Sequence, residues 1–200
     1  MNTSPTIVVL AAGQGARFHP ARHPLDQALH GSTVLGTTVA HALQTGLRVL
    51  VVTTERLVPL LRPALPLRDL LVLDDASAQR GAGQSIAAGV RDSPDSAGWL
   101  VLPGDLPMLR PATILAVAGS VATHAVSYAQ HGGRRGHPVG FAAELYSELA
   151  SLQGDDGARR LMARYPAVGV EVDDAGVLVA VDPDDDLDAP RWPLRRALAG

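Results

Sequence analysis

The stretch Val8-Val9-Leu10-Ala11-Ala12-Gly13-Gln14-Gly15-Ala16-Arg17-Phe18 begins as an apolar run and ends in two glycines and an arginine. Glycine tolerates positive φ and puts no Cβ between backbone and ligand, so such a turn can aim its N–H groups at an anion, phosphate above all. Two familiar phosphate loops are excluded by residue type. A dinucleotide fingerprint needs a third glycine three residues past Gly15, where Phe18 stands, and a Walker A loop needs a lysine. The chain has none: all 17 basic residues are arginine. Taken alone, the turn reads first as a strand ending beside a surface arginine.

The stretch Trp99-Leu100-Val101-Leu102-Pro103-Gly104-Asp105-Leu106-Pro107 repeats the plan, an apolar run closing on Gly-Asp. In open α/β sheets ligands gather at the carboxyl ends of strands. A carboxylate there suits Mg²⁺, a hard cation usually held by one or two carboxylates together with substrate phosphates. Asp105 is thus the expected metal ligand, with an Asx turn before Pro111 as the structural alternative.

Other groups are weaker candidates. Arg134 and Arg135 can grip a phosphate or lie on the surface, and His137 precedes Pro138, as in a turn. Asp155 and Asp156 have the type and place of helix N-terminal caps. Ser85 opens a helical pattern at Gly81-Ala82-Gly83-Gln84-Ser85, where N–H groups can face a base or sugar, or the serine can cap the helix. It lacks the surroundings of a hydrolase nucleophile. His19, His23 and His30 lack zinc-ligand spacing and read as solvent-facing or substrate-adjacent.

The elements that must position these residues follow an α/β rhythm. Short apolar runs at 7–10, 49–52, 71–73, 99–102, 125–128, 168–172 and 177–181 read as strands, fully apolar as in a sheet covered on both faces. Helical patterns occupy 33–44, 83–90 and 111–121, the last opening with Pro111. This βαβα order predicts a three-layer α/β domain with a mixed, mostly parallel sheet. Further on, 131–138 reads as a glycine- and arginine-rich loop, 142–152 and 156–165 as helices, and Asp173-Asp174-Ala175-Gly176 as a hairpin turn between strands. Beyond Asp182, the aspartates 184–188 read as a solvated, helix-starting acidic run, and a tail follows from about 189.

Two hundred residues, 46% hydrophobic and 18% charged, suit a single domain with a full core. A net charge of −3 with scattered arginines gives no field for nucleic acid. The absence of cysteine excludes disulfides, thiolate metal sites and a cysteine nucleophile. Without a basic leader or a long apolar segment, the expected location is the cytoplasm rather than a membrane.

Five motifs in order carry a resemblance. They are Leu10–Phe18, Gly104-Asp105-Leu106-Pro107-Met108, Arg135-Gly136-His137-Pro138-Val139, Gly154-Asp155-Asp156-Gly157-Ala158-Arg159 and Val181-Asp182-Pro183-Asp184-Asp185-Asp186-Leu187. In these the chain resembles the MobA-like nucleotidyltransferases, most of all their molybdenum cofactor cytidylyltransferase branch. The resemblance implies a Rossmann-like nucleotidyltransferase fold and Mg²⁺-dependent transfer of a nucleoside monophosphate from an NTP to a phosphate monoester, with release of pyrophosphate. It assigns Leu10, Ala11, Ala12, Gly13, Gly15, Arg17, Ser85 and Gly104 to the nucleotide. Asp105 and Asp182 fall to the metal, and Arg135, His137 and Asp156 to the acceptor. Alanine at Ala12 goes with CTP, and the implied acceptor is molybdopterin, with a molybdoenzyme or chaperone as onward partner.

The chain departs from this family at one point. The lysine that contacts the triphosphate is replaced by Pro24 in one alignment and by Arg22 in another, which makes Arg22 a catalytic candidate beside Arg17 and Asp105. An arginine neutralises phosphate through a forked geometry that lysine lacks. The alternatives are another phosphorylated acceptor, such as a sugar 1-phosphate, and a member that binds nucleotide or cofactor without turnover.

Overall fold

The computed structural model describes residues 4–13, 23–182 and 184–187. In chain order the strands are β1 (Thr6–Ala11), β2 (Ala28–Leu29), β3 (Ser32–Thr33), β4 (Val49–Thr54), β5 (Leu70–Leu73), β6 (Gly98–Pro103), β7 (Val126–His131), β8 (Arg134–Ala142) and β9 (Ala167–Glu171). The helices are α1 (Val34–Leu43), α2 (Val58–Leu61), α3 (Asp75–Ala78), α4 (Ala82–Arg91), α5 (Pro111–Val121), α6 (Tyr146–Ala150) and α7 (Gly157–Arg164). Seven strands form one sheet in the order β5-β4-β1-β6-β8-β7-β9, while β2 and β3 pair as a separate two-stranded ribbon.

Within the large sheet only β8 runs against its neighbours. The carboxyl ends of β4, β1 and β6 therefore share one edge. Because Val101 lies opposite Val139, the residues that precede Val139 on β8 lie toward that edge as well.

Alternation along β1 explains the layers. Ile7, Val9 and Ala11 face one buried cluster with α1 and α5 side chains such as Leu35, Val39, Ile114 and Val117. Val8 and Ala12 face a second with Ile86, Val90, Leu149 and Leu161 of α4, α6 and α7. A strand covered on both sides has no polar face, which is why its sequence reads as a continuous apolar run. Thr33 caps α1, accepting from the Gly36 N–H at 3.0 Å, and α5 starts at Pro111, whose missing N–H has no partner to lose at a first turn.

Four expectations are corrected. Residues 131–138 are not a loop: Gly132 and Gly133, at φ +56° and +76°, make a two-residue turn, and Arg134 to Pro138 continue as β8. Two successive positive φ values match the twist of a hairpin and are cheap only for glycine. Asp173-Asp174-Ala175-Gly176 is not a hairpin turn, because 177–181 forms no strand and β9 instead pairs parallel with β7. Residues 175–178 coil into a 3₁₀ turn (Ala175–Leu178). Over 142–152 a 3₁₀ turn (Ala143–Leu145) precedes only the five residues of α6. Around Asp182 there is a turn, the Asp182 N–H donating to the Asp185 carboxylate at 2.8 Å, and not a helix start.

Candidate functional site

The site grows from the ends of β1 and β6. Leu10 pairs with Pro103, and the Gly104 N–H continues the ladder one residue further by donating to the Leu10 carbonyl at 2.9 Å. A Cβ at Gly104 would stand 3.0 Å from that carbonyl oxygen and 2.9 Å from Leu35 Cδ1, so only glycine lets the two strand ends stay this close. The next residue, Asp105, is thereby placed over the sheet edge. Its carbonyl accepts the Val181 N–H at 2.9 Å, which brings Asp182 alongside.

Asp105 is out of its usual state. Burial, with the like charge of Asp182 adding to it and the residue's own N–H opposing it, raises its carboxyl to about 6. One of its carboxylate oxygens, Oδ1, is sealed from solvent and has no hydrogen-bond partner. A buried orphan acceptor of this kind costs about 1–3 kcal/mol. The cost is relieved when a cation is bound. The donor set, two carboxylates on neighbouring segments, fits a hard divalent metal that completes its shell with water and substrate phosphate. Among the described residues no cluster of three or more metal-ligating side chains exists.

Leu10, Gly13, Gly104, Asp105 and Asp182 come together around a cavity of about 280 Å³. Its other walls are His23, Pro24, Leu25, Pro103 and Val181. His23, expected to face solvent or substrate, is a wall residue of this cavity. No metal-ligand spacing marked it; the one local signal is a histidine directly before a proline that opens a 3₁₀ turn (Pro24–Asp26), where its Nδ1 accepts the Leu25 N–H at 3.2 Å. A larger hollow of about 390 Å³ lies between α6 and α7. Its one carboxylate, Glu148, is already taken by the Tyr165 hydroxyl at 2.6 Å, so it offers no comparable chemistry.

The remaining candidates lie elsewhere. Ala11 and Ala12 are each 1% exposed and pack in the two cores. Gly15, Arg17 and Arg22 lie outside the described residues. Ser85 is buried inside α4 and does not cap it; the cap is Gly81. The first N–H groups of α4 do not face an open site, for Ala82 donates to the Asp155 carboxylate at 3.0 Å and Gly83 to the Gly154 carbonyl at 2.8 Å. Asp155 therefore caps α4, across 73 residues, and Asp156 stands at the N-cap of α7 without a side-chain bond. Arg135 lays its guanidinium over the Tyr128 ring, 4.2 Å from the centroid. His137, two residues on, is half-buried with its Nδ1 sealed from solvent and unpartnered, and burial lowers its ring to about 4, so it is neutral at pH 7. Ser85, Asp155, Asp156, Arg135 and His137 do not line the cavity of Asp105.

A mostly parallel sheet with helices on both faces, with Gly-Asp at the end of β6, is the fold of the α/β nucleotidyltransferases. More particularly, the chain belongs to the MobA-like NTP transferase domain family, whose model matches residues 7–168. It is similar to the solved structure of Rv0371c from Mycobacterium tuberculosis H37Rv, with 28% identity, a TM-score of 0.76, and 99% of this chain and 100% of that one covered. The same mycobacterial protein solved as a complex with manganese matches with 26% identity and a TM-score of 0.73, over 100% of both chains. The molybdopterin-guanine dinucleotide biosynthesis protein A from Archaeoglobus fulgidus shares the fold at 16% identity and a TM-score of 0.63, with 91% of this chain and 94% of that one covered. No curated protein sequence matches the chain significantly. Among the described residues no helix is long and apolar enough to cross a membrane.

Proposed function

We propose that this protein transfers a nucleoside monophosphate, from CTP by preference, to the phosphate of a molybdopterin-type acceptor and releases pyrophosphate. Nucleotidyl transfer is the chemistry of the family to which the chain belongs. The observation that carries the reading to this site is the buried, unpartnered Oδ1 of Asp105, beside Asp182 at the joint end of β1 and β6. An acceptor phosphate oxygen forms a new bond to the α-phosphorus, and the α–β phosphoanhydride bond breaks. Such a transfer asks the protein for positioning and charge neutralisation rather than for a nucleophile of its own.

Asp105 and Asp182 would hold the Mg²⁺, which supplies positive charge to the triphosphate and to the leaving pyrophosphate. Gly13 and Gly104 keep the strand ends free of side chains, so that phosphate can approach the backbone. Arg17, with Arg22 in place of the family lysine, supplies the remaining positive charge. The motif resemblance supports placing Arg135, His137 and Asp156 on the acceptor side, whereas Ser85, buried within α4, offers the nucleotide no side-chain contact. The preference for CTP rests on Ala12 and for molybdopterin on the motif resemblance, with a cytoplasmic molybdoenzyme or its chaperone as receiver.

A second reading, a binder of nucleotide or cofactor without turnover, is favoured by the proline in the cavity wall of a chain that has no lysine. One assay separates the two. Purified protein is given each NTP in turn with Mg²⁺ and molybdopterin, then a sugar 1-phosphate, and pyrophosphate is measured. Release with CTP and molybdopterin is expected; tight nucleotide binding without release from any pairing would replace the enzyme by the binder.

A further inference from the structure

Asp182 reaches Asp105 at the end of a strap, and its neighbours in sequence do not say what seats that strap. After β9 the chain turns at Asp174, coils through Ala175–Leu178 and runs on to Val181, whose N–H donates to the Asp105 carbonyl at 2.9 Å. Val177, Val179 and Val181 are buried in the cluster that also holds Leu102 and Leu106 around the end of β6. Two glycines let the strap lie this low. A Cβ on Gly176 would strike the Met108 carbonyl, in the segment between Asp105 and α5, and stand 2.9 Å from Asp174 Oδ1. A Cβ on Gly136 would strike the Val177 carbonyl, 2.8 Å from its carbon and from Val177 Cβ. Both carbonyls are backbone and cannot swing aside as the end of a long side chain does.

The strand under the strap is irregular at this point. Tyr128 and Gln130 of β7 face Val139 and Arg135 of β8, so β8 carries surplus residues between these pairs and bulges. Gly136 lies in the bulge, buried, on the part of β8 that leads toward the edge where Gly104 and Asp105 stand. The strap therefore rests on β8 at Val177, on the loop after Asp105 at Gly176, and is bonded to Asp105 itself at Val181.

We propose that Gly136 is a positioning residue for the divalent metal: by carrying no side chain it lets β8 seat the strap at Val177, and the depth of that seat sets where Asp182 stands relative to Asp105. The lever is short, and the buried valines between Val177 and Val181 leave it little slack. To clear an added Cβ, the Val177 carbonyl carbon must retreat from 2.8 Å to the 3.4 Å at which ordinary contact begins. Metal–ligand distances tolerate only about 0.2 Å, and residues that orient a ligand from behind commonly govern about 10–100-fold in affinity. The inference rests on the reading of Asp105 and Asp182 as the metal ligands.

The probe is Mn²⁺ alone, titrated into the full chain at a temperature where circular dichroism shows each variant folded, with Tm measured alongside. Gly136→Ala should weaken Mn²⁺ binding about tenfold. Gly140→Ala is the control on the same strand: a Cβ there would meet the Val121, Leu100 and Val117 side chains instead of the strap, so Tm should fall while Mn²⁺ affinity holds. Asp174→Asn reaches the strap from its other end. One amide oxygen can still accept the Arg110 N–H and the Thr113 hydroxyl that share Oδ2, but an amide NH₂ then faces the Gly176 N–H that Oδ1 accepted. This loosens the strap without adding an atom to the core and should weaken Mn²⁺ binding severalfold, which decides the matter if Gly136→Ala does not fold. Affinity unchanged in Gly136→Ala, or in Asp174→Asn where Gly136→Ala does not fold, overturns the proposal, as does an equal loss in Gly140→Ala. Affinity unchanged in Asp182→Asn shows that the strap carries no ligand, which overturns the proposal and leaves nucleotidyl transfer standing. A wild-type protein that binds no Mn²⁺ removes the metal reading together with the proposal.

Discussion

Asp105 sits under two opposed demands, one from folding and one from the cation. Burial and the neighbouring Asp182 favour its protonated form up to a pH of about 6, whereas a divalent metal binds the carboxylate and must displace that proton. Mn²⁺ affinity, read by titration, is therefore expected to be constant above pH 7 and to fall about tenfold per unit below pH 6, one proton being released for each ion bound. Affinity that stays flat from pH 7 to pH 5 would show that Asp105 is not a ligand. Asp105→Asn keeps the size of the side chain and removes its charge; Mg²⁺-dependent pyrophosphate release should drop about 10²–10³-fold, as when a charge aimed at the transition state is lost. A near-wild-type rate in that variant takes Asp105 out of the site. Asp105 was legible because a Gly-Asp pair closing an apolar run announces a strand end. His23 was not, since its place in the cavity wall comes from the turn at Pro24–Asp26, and no spacing rule marks a residue for that.

At the scale of elements, Asp174 shows what local pattern misses. Its sequence neighbourhood has the composition of a hairpin turn, yet its carboxylate accepts the Arg110 N–H at 2.9 Å, the Thr113 hydroxyl at 2.6 Å and the Gly176 N–H at 3.0 Å. One buried side chain thus caps α5 from 61 to 64 residues away and folds the 3₁₀ turn that follows β9. The same segment then delivers Val181 to Asp105, so the cap and the metal ligands share a strap. Asp174→Ala leaves three donors unsatisfied and should destabilise the fold by about 2–4 kcal/mol, seen as a lower urea midpoint at unchanged slope. A loss under about 0.5 kcal/mol, the size of an ordinary surface substitution, would mean that α5 is held without it. Long apolar runs such as β1 and β6 were legible because burial on both faces writes itself into every residue. β8 was not, for its first half is arginine, glycine, histidine and proline, and only pairing with β7 makes it a strand.

For the molecule as a whole, Asp105 and His137 act on stability with opposite signs over nearly the same pH range. The folded state raises Asp105 from 3.8 to about 6, so between these values it binds more protons than the unfolded chain, and stability falls as pH rises. It lowers His137 from 6.5 to about 4, so there it binds fewer protons, and stability is lost as pH falls from 6.5 toward 4. Each shift of somewhat over two units corresponds to about 3 kcal/mol, and the two contributions nearly cancel between pH 4 and 6.5. Metal-free wild type should accordingly hide both groups. Asp105→Asn removes one of them: its stability relative to wild type should climb from near zero at pH 4 to about 2–3 kcal/mol at pH 7, because only the charged carboxylate was costly. His137→Gln removes the other, and its advantage should run the opposite way, largest at pH 4 and gone by pH 7. Urea midpoints for the three proteins at pH 4, 5, 6 and 7 in EDTA measure both differences, and the other ionisable groups, common to all three, drop out of the comparison. Differences that do not change with pH would mean that burial at the end of β6 and on β8 leaves both groups at their ordinary values.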